Sequence, residues 1–113
     1  MGLSSQIKGA NGERELVSLL KSHGYNVERG GSLTYGTKPD IEGLPGIHIE
    51  CKRVEKLDIS KAMEQAQRDS LKFKDGAPTV FHRKNYGDWL VTMRFEDWIE
   101  LYKNKKTCSR CKH

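Results

Sequence analysis

Asp40, Glu50 and Lys52 are the residues of this 113-residue chain whose types and spacing could do chemistry. They fall in the stretch from Lys38 to Lys52, which reads as two short strands folded back on each other. Ile47, Ile49 and Cys51 alternate with His48, Glu50 and Lys52, so one strand face is apolar and the other ionisable. Pro45-Gly46 between the halves is a turn signal, proline presetting φ and glycine free to take φ > 0. With that turn as the hinge, Asp40 falls opposite Glu50 to within about one residue. Facing carboxylates repel and seldom meet without a cation between them. Magnesium takes hard oxygen ligands and keeps several waters, so two or three carboxylates suffice. Asp40, Glu50 and the backbone carbonyl of Cys51 can supply them, and manganese would substitute. Lys52, two residues after Glu50 on the same face, can serve an attacking water or neutralise charge on a phosphoryl group. The set has the makings of a metal-assisted hydrolytic site for phosphodiesters.

Asn11 is a plausible N-cap for a helix running to about His23 and stopped by Gly24. On that helix Leu16, Val17, Leu19 and Leu20 form one apolar stripe and Glu13 falls in its middle. A carboxylate there is costly unless something compensates it, so Glu13 is the residue expected to reach the site. Residues 1–10 are small and polar and are expected to be mobile. Tyr25 to Arg29 reads as a strand, and 30–37 as a glycine- and hydroxyl-rich loop. Ile59 to Phe73 keeps helical spacing and ends at Asp75-Gly76. Pro78 to Lys84 and Asp88 to Met93 are two more strands, and Phe95 to Tyr102 a last helix. The order α-β-β-β-α-β-β-α predicts an α/β sandwich around a mixed sheet of about five strands. Residues 1–103 form one domain, and 104–113 a basic, cysteine-bearing tail expected to be disordered.

The net charge is +5 and the pI about 9.2. The whole excess comes from Lys103, Lys105, Lys106, Arg110 and Lys112; over residues 1–100 acids and bases balance. A basic tail favours an anionic partner, but charge alone is a weak argument. No apolar window is long enough to span a bilayer and no secretory apolar stretch opens the chain, so a cytoplasmic protein with no membrane partner is expected. Three cysteines make no disulfide framework. Cys108, Cys111 and His113 have spacing that suits zinc, yet lack a fourth ligand nearby.

Pro39-Asp40 followed by Glu50-Cys51-Lys52 is similar to the PD-(D/E)XK motif of the restriction-endonuclease-like nucleases. Within that superfamily the chain resembles the small archaeal-type Holliday junction resolvases and their phage counterparts. Lys8-Gly9 with Glu13-Arg14 resembles the family's opening helix, whose Glu completes the metal site and whose Arg touches DNA. Arg29 and Ser32 match a basic residue and a catalytic-loop serine, and Glu64-Gln65-Ala66 the glutamine-bearing helix after the core strand. The similarity runs from about Lys8 to Met93. It implies a restriction-endonuclease-like core and a magnesium-dependent endonuclease acting on four-way DNA junctions in recombination and repair. The catalytic set would be Glu13, Asp40, Glu50 and Lys52. Lys8, Arg14, Arg29, Ser32, Arg53, Gln65, Arg83 and Lys84 would face DNA. Two cuts per junction imply a homodimer, with exposed faces of the last helix or strand as interfaces. A prokaryotic or phage-infected host suits so small an enzyme.

Plainer readings stand beside these. His48 suits an exposed strand position, though it could support Glu50. His82-Arg83-Lys84 could bind phosphates or simply protect an edge strand. Phe95, Trp89 and Trp98 are expected in the core. The rivals to a junction resolvase are a related nuclease cutting flaps, nicks or duplex, and a decayed module that binds DNA without cutting it.

Overall fold

The computed structural model describes residues 2–30 and 38–105, with side chains from Ala10 onward. The elements are α1 (Gly2–Ser22), β1 (Glu28–Arg29), β2 (Ile41–Glu42), β3 (Ile47–Arg53), α2 (Ile59–Phe73), β4 (Ala77–Arg83), β5 (Leu90–Met93) and α3 (Phe95–Lys103). Among the described residues the strands form one five-stranded sheet in sequential order. β1, β2 and β3 pair antiparallel, β3 and β4 run parallel across the α2 crossover, and β5 returns antiparallel. The expected α/β order and mixed sheet are therefore observed. Among the described residues no helix is long and apolar enough to cross a membrane.

The turn before β3 is built as its sequence dictates. Ile47 N–H donates to Leu44 O at 3.0 Å across Pro45-Gly46, and Gly46 takes φ +85°. Proline first and a positive-φ glycine second is the chemistry of a type II turn. By itself that turn would place Ile41 opposite Glu50; the observed pairing of Ile41 with Ile49 takes up one extra residue before the turn, where Gly43 adopts φ +127°.

Alternation along β3 divides the molecule into two faces. Ile49 packs with Leu16 of α1, Val27 and Ile41, each 1% exposed, with Ile47 and Cys51 against the same cluster. Against the other face, α2 lays down Ala62 and Ala66 beside Val80 of β4, with Leu57, Ile59 and Met63 around them. Asp58 caps α2, its carboxylate accepting from Lys61 N–H at 3.2 Å. The small residues Ala62, Ala66 and Ser70 on the buried stripe let the helix lie close to the strands.

Three expectations need correction. α1 begins at Gly2, not after Asn11. Asn11 lies inside the helix, its side chain accepting from Arg14 Nη1 at 3.2 Å. Residues 2–10 hold no proline, and extending a formed helix adds a backbone bond per residue. The first strand is Glu28–Arg29 alone, because Val27 turns into the core as a plug. Phe95 and Trp98 do not enter the core: they are 67% and 46% exposed, and α3 buries no residue. Only Trp89 of the three aromatics packs against the α1-side cluster. The loop 31–37, with Ser32, and the tail residues Cys108, Cys111 and His113 lie outside the described residues.

Gly76 tests the junction between α2 and β4. Its φ is +129°, and a Cβ there would lie 2.3 Å from the Gly46 carbonyl carbon, while Ala77 N–H donates to Gly46 O at 2.9 Å. Gly76→Ala is expected to lower stability by about 2 kcal/mol or more, since both conformation and space are denied. Denaturant unfolding measures it, and an unchanged midpoint would contradict the packing described.

Candidate metal centre and catalytic site

The register Ile41↔Ile49 carries Asp40 opposite Glu50, on the β3 face that α2 covers. That face bears His48, Glu50 and Lys52 in one row. α2 answers with its own row, Gln65, Asp69 and Phe73, spaced four apart. Four helical residues rise about 6 Å and two strand residues about 6.6 Å, so the antiparallel rows stay in step. Lys52 Nζ donates to Gln65 Oε1 at 2.8 Å, and the Phe73 ring stacks on His48 with centroids 6.5 Å apart and planes 11° apart. Between these pairs, oxygens of Glu50 and Asp69 and a His48 ring nitrogen lie within 4.8 Å of one another.

Glu13 approaches from α1. Gly12 makes this possible, because a Cβ there would meet Arg53 Cβ of β3 at 2.6 Å. Glu13 is partly buried, and Arg29 Nε donates to its Oε1 at 3.0 Å. Asp40 stands at the open edge of the group, exposed but crowded by protein on its inner side. Glu50 is 2% exposed; its Oε2 lies 3.8 Å from Lys52 Nζ.

Electrostatics show how closely these groups are held. Burial raises the pKa of Glu13, and the charges of Asp40 and Glu50 raise it further against the opposing pull of Arg29. Burial likewise raises Asp40, with Asp69 adding to it and Lys52 opposing. Glu50 is raised by burial and by Asp40, while His48 and Lys52 pull it down. Glu13, Asp40, Glu50 and Asp69 face Lys52, Arg29 and His48, and burial leaves the pKa of the first three raised despite these cations. The carboxylate oxygens are hard donors, and their mutual repulsion is what a divalent cation relieves, so the residues present fit the ion that the sequence led us to expect.

His48 is 1% exposed, not the exposed strand residue expected. Its Nδ1 faces both carboxylate oxygens of Asp75 at 2.9 Å and its Nε2 faces Glu50 Oε1 at 3.3 Å. Both nitrogens serve ionised carboxylates only if both carry protons. Burial pushes the His48 pKa down, but the hydrogen bonds to Glu50 and Asp75 outweigh it and hold it above its ordinary value. Cys51 points the other way, into the core. Burial, reinforced by the nearby carboxylates, pushes its thiol up to about 12, leaving it a packing residue.

Glu13, Asp40, Glu50 and Lys52 are thus drawn together, with Arg29 and Gln65 beside them. Arg53 and Arg83 lie elsewhere, both bound to Glu15 of α1, with Arg53 Nη1 also donating to Asn85 Oδ1 at 2.7 Å. Arg14 and Lys84 are exposed, and the side chain of Lys8 lies outside the described residues. Two members escaped the sequence reading, Asp69 and Asp75. Asp69 could have been found as the residue four beyond Gln65 on the α2 stripe. Asp75, beyond the helix, left no such periodic signal.

A mixed sheet presenting a proline-preceded aspartate, Glu50 and Lys52, with a helix glutamate alongside, defines a PD-(D/E)XK-type nuclease. Residues 4–107, most of the chain, match the archaeal Holliday junction resolvase (Hjc) family, and the chain belongs to that family. It is an endonuclease of the junction-resolving kind, acting on branched DNA. Among curated proteins no significant match is found.

The raised pKa values set the pH dependence of metal-free stability. Glu13 and Glu50 bind protons above their ordinary value of 4.5, Asp40 above 3.8 and His48 above 6.5. In each window the folded state holds more protons than the unfolded, so stability falls as pH rises. The His48 contribution is complete below 6.5 and is lost through its raised folded value. In EDTA, the midpoint of thermal unfolding is expected to drop as pH rises above the ordinary carboxylate range, and further above 6.5 as His48 loses its proton. Mg²⁺ should restore much of it at the upper end, and Asp40→Asn should flatten the slope. A midpoint rising with pH would contradict the charge arrangement.

Proposed function

We propose that this resolvase is magnesium-dependent, with manganese as a substitute, and that Glu13, Asp40, Glu50 and the Cys51 carbonyl hold the metal. The observation that carries this is the convergence of Glu13 from α1, Asp40 from the start of β2 and Glu50 from β3, each with its pKa raised by burial and by a neighbouring acid. When bound, the metal lowers the pKa of a coordinated water and offsets charge on the phosphoryl oxygens. Lys52, steadied by Gln65 at 2.8 Å, orients the attacking water and takes up developing negative charge at the scissile phosphate. Arg29 holds Glu13 and presents its remaining donors to the DNA backbone. Lys8, Arg14, Ser32 and Lys84 contribute backbone contacts, and Arg53 and Arg83, held by Glu15 away from the carboxylates, would meet DNA only beyond the site itself. Recognition through phosphate and shape needs little base readout. The substrate places the enzyme where recombination and repair intermediates form, in the cytoplasm of a prokaryotic or phage-infected cell.

The test uses labelled four-way junctions, flaps, nicked and plain duplexes, with Mg²⁺, Mn²⁺ or EDTA. Cleavage of the junction in preference to duplex, absent in EDTA, is expected. Asp40→Asn and Glu50→Gln should each lower the rate by about a hundredfold or more, beyond what loss of a residue supporting a ligand costs. Equal cutting of duplex would remove the junction preference, and activity surviving in Asp40→Asn would remove the site.

Symmetric resolution takes two cuts, which a two-fold homodimer supplies. Its interface is assigned to the edge of the molecule formed by β5 and α3, where Leu90, Val91, Phe95, Trp98, Leu101 and Tyr102 are each 46–67% exposed. So much aromatic and aliphatic surface on one strand and one helix suits a second copy of the chain. Light scattering is expected to give a dimer at micromolar concentration, and Trp98→Glu a folded monomer that nicks rather than resolves junctions. A monomeric wild type with paired cuts would overturn the assignment.

A further inference from the structure

We propose that His48, anchored by Asp75, is a positioning residue that sets the Glu50 carboxylate for metal binding. The inference rests on Glu50 being a metal ligand, as proposed above.

The ring has no freedom of its own. It is 1% exposed, stacked on Phe73, and each nitrogen faces a carboxylate. Asp75 is fixed in turn, since it sits between the left-handed Lys74 that ends α2 and Gly76, which is pressed against Gly46. A continuous set of contacts therefore runs from the Pro45-Gly46 turn through Asp75 and His48 to Glu50. At its end the two Glu50 oxygens are distinguished. Oε1 faces His48 Nε2 at 3.3 Å, and Oε2 lies 3.8 Å from Lys52 Nζ. Without His48 the carboxylate would be free to rotate about its last torsion, and a hard cation would meet a scattered ligand. A ligand held by a second residue, itself held by a third, is how proteins raise affinity without adding a donor.

Direct ligation by His48 is the competing arrangement, because a ring nitrogen lies within 4.8 Å of oxygens of Glu50 and Asp69. It would cost the bond to Glu50, and magnesium disfavours nitrogen donors. Imidazole ligation suits nickel or zinc instead. The two arrangements differ in metal preference.

The experiment is calorimetric titration of the full chain with Mg²⁺ and, separately, Ni²⁺, accompanied by thermal unfolding. The proteins are wild type, His48→Leu, His48→Gln, Asp75→Asn and Asp75→Glu. Asp75 bonds His48 and no bond joins it to Glu50, so Asp75→Asn acts on the metal through His48 and through its lost charge. Asp75→Glu, which keeps the charge but displaces the carboxylate from the ring, separates the two and is expected to weaken Mg²⁺ as well. His48→Leu is expected to weaken Mg²⁺ about tenfold to a hundredfold, and Asp75→Asn by a smaller factor in the same direction. His48→Gln keeps a donor toward Glu50 and should recover part of the loss. Positioning weakens Mg²⁺ and Ni²⁺ by similar factors; a loss confined to Ni²⁺ would make His48 a ligand and overturn the proposal. Should His48→Leu fail to fold, Asp75→Asn decides: a lowered unfolding midpoint with Mg²⁺ affinity unchanged within about twofold makes the contact merely structural. A wild type that binds no Mg²⁺ would instead bring down the functional reading, so the two failures are distinct.

Discussion

The pairing of Ile41 with Ile49 is the constraint on which the rest depends. In a two-sided sheet, side chains alternate, so a slip of one residue would send Asp40 to the α1 face while Glu50 stayed under α2. Nothing in the charges themselves enforces the register, since the two acids repel. The apolar partners do. Ile41 and Ile49 are each 1% exposed in the same cluster as Leu16 and Val27, and a slip would expose one of them to water. From the other end the strand offset is set by the Pro45-Gly46 turn together with the positive-φ Gly43 before it. Hydrophobic burial on one face thus forces an electrostatically unfavourable meeting on the other.

That division of labour extends through the molecule. Against α1 the sheet is closed by aliphatic packing, and Glu13 arrives there with Arg29 attached. Against α2 the covering is thin, with alanines near β4 and polar residues over β3. Buried carboxylates without full compensation cost stability, and functional sites are where proteins accept that cost. Here the cost is contained by pairing each demanding group with a fixed neighbour: Glu50 with His48, His48 with Asp75, Lys52 with Gln65. Each pairing removes rotational freedom from a group of the cluster.

Much of this was legible from residue order because it depends on short periods. Alternation over 47–52 exposed the ionisable row, and the helical period set Glu13 on the wrong stripe for a solvated acid. The α2 boundaries followed from its spacing and its stop. What escaped depends on which elements touch. Nothing local to His48 says that a helix will cover it, because an alternating strand looks the same whether its polar face meets water or a second layer. Asp69 became visible only once the α2 row was laid against the β3 row. Phe95 and Trp98 failed for the converse reason: helical spacing of aromatics implies a covered face, and here the covering is not within the chain's own described residues. The start of α1 was misjudged because a good capping residue, Asn11, also occurs inside helices.

One further contrast explains how the site end of β3 keeps its place where aliphatic packing runs out. Lys52 and Arg53 are consecutive, so they point to opposite faces. Lys52 enters the site, while Arg53 turns toward α1 and meets Glu15, which also binds Arg83 of the parallel neighbour β4. Asn85, beyond β4, accepts from Arg53 and donates its N–H to Glu55, just past β3. The result is a brace of charge-assisted bonds joining one helix and two strands, opposite the carboxylate cluster. An exposed ion pair is worth little singly, but here one carboxylate holds two guanidiniums that pass between three elements. It resists the outward movement that repulsion among the acids would drive. The arginines on this side therefore act on the frame, tying β3 and β4 to α1.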